Sequence, residues 1–194
     1  MNNKMFYTIA LAFLSAVAHT MTQQLQADFQ TGNVVLQNQV LEIRKEITGN
    51  KPSLLSSNTI RVEGICSFDQ GGKLETGRAF VFDQIAIDYA TNAASGKEGE
   101  IEYNTKAPAV LQNSTVVITQ DKREVLRMPF RDLHNIHTGA KVSDEYTELK
   151  GLGYFTDNKA VTIDLILPPS TTLDPAVKHY VYFRASGQQT AVKA

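Results

Sequence analysis

From Val161 to Leu167, apolar residues (Val161, Ile163, Leu165, Leu167) alternate with Thr162, Asp164 and Ile166, and Pro168-Pro169 ends the run. A period of two describes a strand with one face buried, and no helix can hold that pattern on one side. This alternation recurs down the chain after residue 55, and it constrains the fold more than any other feature. Ile60, Val62, Gly64, Cys66 and Phe68 alternate with Arg61, Glu63 and Ser67, and Asp69-Gln70-Gly71-Gly72 supplies a turn. Val81, Ile85, Ile87 and Tyr89 predict one face of a second strand, with Phe80 and Phe82 on the other. A short strand is expected at Glu100–Asn104. Thr115–Thr119 and Glu124–Met128 predict a hairpin around Gln120-Asp121-Lys122-Arg123, closed by Pro129. Tyr146–Phe155, with a bulge at Gly151 and Gly153, and His179–Ala185 complete the set.

The expected fold is therefore mainly β: an antiparallel β-sandwich of about eight strands, jelly-roll-like, with a helical segment at its N-terminus. Nothing in the order of elements alternates helix with strand, so a parallel sheet is not expected. Leu36, Val40, Ile43 and Ile47 follow helical spacing, and Gly49-Asn50 and Pro52 make a stop. They predict a helix over 33–48, with Val34, Val35 and Ile47 keeping a strand as the alternative. The chain then divides into an N-terminal helical arm, 1–52, and a sandwich domain, 53–194.

The first eighteen residues support two readings. Lys4, the apolar stretch Met5–Ala18 and the small residues of Ala16-Val17-Ala18 have the three parts of a secretory signal, with cleavage near Ala18. Alternatively Met5, Ile9, Phe13, Val17, Met21 and Leu25 recur every four residues and continue past that point, as in a retained amphipathic helix. A retained apolar helix needs a cover, either a neighbouring subunit or a lipid surface.

Chemistry is sparse. The formal net charge of −1 and the absence of a basic stripe argue against direct nucleic-acid binding. The single cysteine, Cys66, lies in the apolar alternation and reads as a small buried residue. His134 and His137 are spaced as HxxH, but no third ligand at motif spacing accompanies them, so no metal is expected. Ser56 and Ser57 lie in no nucleophile elbow, and the glycine pairs are too sparse for a phosphate loop. No catalytic residue and no cofactor is expected. Tyr180 and Tyr182, on one face of the last strand, predict a contact stripe.

Two segments, EVLRMPFRDL (124–133) and VTIDLILPP (161–169) followed by the strand Tyr180–Ala185, resemble the jelly-roll capsid proteins of tailless icosahedral phages. The chain is long enough for one roll, not for the double roll. The resemblance implies a single-roll capsid or capsid-associated subunit of a virion, packed side by side with copies of itself and other structural proteins. The N-terminal helix would reach toward neighbours or a lipid surface, and Met5, Ile9, Phe13, Val17, Met21, Leu25, Tyr180 and Tyr182 are the candidate assembly contacts. The alternative from the residues alone is a secreted or periplasmic β-sandwich, an adhesin or carbohydrate-binding module. A third is a secreted hydrolase, which would need a carboxylate pair facing one groove.

Overall fold

The structure is a computed structural model that describes residues 3–49, 51–135 and 145–193, with side chains from Met5 onward. Helix α1 (Asn3–Val17) runs through a 3-10 turn (Ala18–Thr20) into α2 (Gln23–Gln30). Strands β1 (Val34–Ile47), β2 (Ser53–Leu55), β3 (Phe80–Asn92), β4 (Thr115–Gln120), β5 (Arg123–Pro129), β6 (Thr147–Phe155), β7 (Val161–Ile166) and β8 (Lys178–Val192) follow, with one-turn helices α3 (Ala109–Gln112) and α4 (Phe130–Leu133) between them. Two antiparallel sheets result, β1-β8-β3-β6 and β2-β7-β4-β5. Pairing is nested: the tight hairpin β4–β5 lies innermost, then β3–β6, β2–β7 and β1–β8. Asp121 and Lys122 turn that hairpin with φ of 47° and 67°, the left-handed pair that matches strand twist.

One core lies between the sheets. Leu41, Ile43, Phe80, Phe82, Ile85, Ile87, Val181 and Phe183 of the first meet Leu54, Val116, Ile118, Ile163 and Leu165 of the second. The expected mainly-β antiparallel sandwich with an N-terminal helix is what the chain forms. Three details differ from expectation. The stretch 33–48 expected as a helix holds strand β1 (Val34–Ile47) instead, so the sandwich begins near Val34 rather than after residue 52. The cause is a change of face: Val34 and Leu36 are buried on the outer side of the sheet, Leu41, Ile43 and Ile47 on the inner side. A strand that switches its buried face breaks the period of two and imitates helical spacing. Second, Phe80 and Phe82 share the inner face with Ile85, Ile87 and Tyr89. A bulge between Phe82 and Gln84, against both β6 and β8, inserts a residue and shifts the phase.

Third, the runs 60–68 and 100–104 are not strands. Gly64, at φ 74°, folds the first back on itself, so Cys66 N–H donates to the Val62 carbonyl at 2.8 Å. Cys66 is buried there, as expected, and burial pushes its thiol pKa up. The second run belongs to a long loop after β3, gathered by Tyr103 donating to the Glu98 carbonyl at 2.9 Å.

The arm forms a third layer on the outer face of the β1-β8-β3-β6 sheet. Ala10, Leu14, Met21 and Leu25 pack with Val34, Leu36, Ala79 and Val81, and Phe13 meets the Tyr154 ring edge-on at 5.3 Å. A polar clasp holds its middle. The buried carboxylate of Asp157, in the β6–β7 turn, accepts from Thr22 N–H (3.2 Å), Thr22 Oγ–H (2.5 Å) and Gly77 N–H (2.9 Å). Lys159 Nζ donates to the Thr20 carbonyl at 2.9 Å. Asp157→Ala strands three donors, so a loss of about 2–3 kcal/mol is expected. Denaturant unfolding checks the magnitude, and faster proteolysis between residues 18 and 33 checks that the arm is the part released.

Candidate functional site

The outer face of the β1-β8-β3-β6 sheet is divided. The arm covers one half, and a groove of about 570 Å³ occupies the other. Period two along three neighbouring strands places Arg44, Asp88, Tyr182 and Arg184 in its floor. Arg44 and Asp88 lie directly across from Tyr182 on either side, and Arg184 is the next outward residue along β8. The loop after β3 (Glu98, Ile101, Tyr103) and the approaches to the segment between α4 and β6 (Asn135, Glu145) form the walls.

Arg184 organises the floor. Its Nη2 donates to Asp88 at 2.6 Å and to Glu145 at 2.8 Å, and its guanidinium lies 5.0 Å from the Tyr182 ring and 5.1 Å from the Tyr146 ring. Arg44 stacks on Tyr182 at 4.0 Å and pairs with Glu42, and the Tyr182 hydroxyl donates to Glu42. Cations over aromatic faces are attracted by the ring quadrupole, and desolvation strengthens this. Burial holds the Asp88 carboxyl above the usual aspartate range, against the pull of Arg184. Burial alone would lower the Arg184 pKa, but Asp88 and Glu145 outweigh it and hold the guanidinium charged. Burial also raises Tyr103 and Tyr182, so both phenols stay neutral.

Apart from the buried Arg184 Nε, which has no hydrogen-bond partner among the described residues, several polar side chains lining the groove donate to the protein itself. Tyr103 and Tyr182 donate inward, Asn135 donates to Thr147 Oγ at 3.0 Å, and Asn104 donates to Glu102 at 3.0 Å. His134 is a framework residue: its Nδ1 donates to the Ile87 carbonyl at 2.8 Å and its Nε2 accepts from Ala107 N–H at 3.2 Å. That pattern describes one neutral tautomer. His137 lies outside the described residues. Among the described residues no cluster of His, Cys, Asp and Glu is placed to hold a metal. Asp88 and Glu145 do share the groove, the composition a sandwich hydrolase would need. Both carboxylates are held by one nitrogen, Arg184 Nη2, at 2.6 and 2.8 Å.

The residues singled out by sequence do not converge on one surface. A stripe at every fourth residue drifts about 40° around a helix per step. Met5 is 58% exposed and Ile9 37% exposed at one end, while Phe13 and Val17 are half-buried and Met21 and Leu25 are buried beneath the arm. Tyr180 is buried, and its hydroxyl donates to the Ala94 carbonyl at 2.6 Å and contacts Glu46 at 3.2 Å. Met21, Leu25 and Tyr180 are thus engaged inside the chain, where their apolar bodies gain most from burial. Tyr182 alone of the set reaches the groove. Arg44, Asp88, Glu145 and Arg184 escaped sequence reasoning. The available signal was Tyr182-x-Arg184, outward positions of a strand whose inward positions, Val181 and Phe183, are apolar. No family model and no curated protein matches the sequence.

Proposed function

We propose that this chain is a non-enzymatic structural subunit of a virion, a single jelly roll that assembles through side-by-side contacts with copies of itself and with other structural proteins. The nested strand order carries the reading. Rolling one long four-rung hairpin into two facing sheets yields β1-β8-β3-β6 over β2-β7-β4-β5, the two-Greek-key arrangement shared by viral capsid and lectin domains. The arm supports it. Ala10 and Leu14 are fully buried against the sheet, so cleavage near Ala18 would bare Val34, Leu36 and Val81 to water. Met5 and Ile9 are left exposed for a neighbour or a lipid surface. The second reading, a secreted or periplasmic sandwich that binds a glycan, is favoured by one observation, the polar groove with Tyr103 and Tyr182 in its lining.

Density-gradient fractionation of the native source, followed by intact-mass measurement, tests the proposal. The expected result is a mass beginning at or within one residue of Met1, in multiple copies, in a fraction that also holds nucleic acid. A mass beginning near His19, recovered free outside the cell, overturns it in favour of the glycan-binding reading.

A further inference from the structure

The two sheets leave four strand edges, and unpaired edges template association with other chains unless they are blunted. Three are blunted. β2 is three residues long. β5 carries Arg123, Glu124 and Arg127, is bulged against β4 and ends in Pro129. β6 breaks its pairing with β3 between Glu148 and Gly153, around Lys150 and Gly151. The fourth edge, β1, is covered over its C-terminal half only: Arg44 N–H donates to the Ile65 carbonyl at 2.8 Å, and Ser67 N–H to the Glu42 carbonyl at 3.0 Å.

Those two bonds fix the direction of the rest. Residues 42 and 44 turn their backbone groups outward, and the register with β8 is unbroken from Val34 to Ile47, so Leu36, Asn38 and Val40 also face outward. Among the described residues their outward groups meet no backbone partner; the Val40 carbonyl accepts only the Gln39 side-chain amide, at 3.1 Å. The run Val34–Leu41 contains no charge, no proline and no glycine, and Gln37, Asn38, Gln39 and Val40 are all exposed.

We infer that this half of β1 pairs antiparallel with β1 of a second copy, about a two-fold axis through Asn38. Leu36 then lies opposite Val40 of the second copy and Asn38 opposite Asn38, each pair exchanging two hydrogen bonds, while Gln37 faces Gln39. From Val35 to Leu41 every cross-strand pair is amide on amide or apolar on apolar, so no like charges meet. The axis stands perpendicular to the sheet, so both arms lie on the same face of the joined sheet. Phe6 lines the same cleft as Asn38, Gln39 and Val40. The exposed N-terminal ends of the two arms, with Met5 and Ile9, therefore meet over the seam. One contact thus accounts for the open edge and for the apolar tip of α1. It deepens the side-by-side assembly proposed above and rests on the chain associating with itself, not on the particle being a virion.

Single cysteines at the seam test it in the full chain, with light scattering on the wild type. Native Cys66 is buried and gives little background. Across a hydrogen-bonded antiparallel pair, Cα atoms sit about 5.5 Å apart, within disulfide reach. Two copies of residue 40 would be about 14 Å apart along the strand. Asn38→Cys is expected to form disulfide dimers under mild oxidation about tenfold or more faster than Val40→Cys. Asn38→Pro removes an outward N–H and the Oδ1 that accepts from Gln188 Nε2 at 3.4 Å, and is expected to leave a folded monomer whose unfolding midpoint falls by no more than the loss of one long hydrogen bond. Equal linking of the two cysteine variants, or a monomeric wild type in which neither links, overturns the pairing. A particle-bound protein giving that result would still stand as a virion subunit. Asn38→Cys linking to a different chain within the particle also overturns it, and assigns the edge to that chain's strand.

Discussion

Gly187→Ala is expected to lower the free energy of unfolding by about 3 kcal/mol or more, toward the upper end for overpacked cores. A Cβ at this position would stand 2.0 Å from the Val81 carbonyl oxygen and 2.7 Å from Phe82 Cα. These are backbone atoms of β3, the strand between β8 and β6, so no rotamer change relieves the clash. Gly187 lies opposite Phe82, beside the bulge that puts Phe80, Phe82 and Ile85 on one face. Relief would require parting β3 from β8, which disturbs that phase shift and the core it serves. Gly151→Ala is the control. Nothing lies within 4 Å of its added Cβ, and a change within about 0.5 kcal/mol is expected. Paired denaturant titrations decide, and equal midpoints for the two variants would show that β3 and β8 can separate at no cost.

Arg184→Gln is expected to cost about 3–5 kcal/mol near neutral pH, because it leaves Asp88 buried without its counter-charge. Both side chains are only 12% exposed, so solvent screens the loss poorly. The cost should depend on pH with a definite sign. Burial already holds the folded-state pKa of Asp88 above its ordinary value, and removing the guanidinium raises it further. An acid raised on folding binds its proton more tightly in the native state, so stability falls as pH climbs from the ordinary aspartate value, about 3.9, through the raised one. The wild type has this dependence weakly and the variant strongly. The gap between them should therefore be smaller at about pH 4 than at about pH 7.5. A gap of equal size at both would mean that the loss comes from the Tyr182 and Tyr146 ring contacts and not from a stranded carboxylate.

The sandwich was legible because four strands report themselves without interruption. β7 alternates cleanly, β4 and β5 are β-branched and apolar runs on either side of a turn signal, and the inward set Val181, Phe183, Ala185 marks β8. The strand total of eight agrees with expectation only because two errors cancel. Residues 60–68 show local alternation but make only one isolated bridge to β1, and 100–104 lie in a loop, while β1 and β2 pair without showing it. Alternation records which residues are buried, and it is readable as a strand only where the same layer covers the same face throughout. β1 is covered by the arm at one end and by the second sheet at the other, so its pattern changes phase, and the bulge near Asp83 does the same to β3. The groove was illegible for a related reason. Arg44, Asp88, Glu145 and Arg184 come from four separate parts of the chain; the register of β1, β8 and β3 brings three of them together, and the segment before β6 adds Glu145. The arm was half legible: its apolar period showed a helix, but the covered face passes through Ala10 and Leu14, to one side of the stripe that begins at Met5.

Nested pairing also sets the order in which this protein can acquire structure. Val34 lies opposite Val192 and Ile47 opposite His179, so the first strand waits for the last, and only β4 and β5 can pair as soon as they are made. Contacts of such long sequence separation make folding slow. Through most of synthesis the uncharged run from Val34 to Leu41 has neither its β8 partner nor a complete sheet beneath the arm. The strand edge proposed above to pair with a second copy is, for that interval, equally open to pairing with another unfinished chain. Cover over the run Val34–Leu41 until residue 178 emerges is therefore what would keep such a chain from pairing with its neighbours before its own sheet is complete.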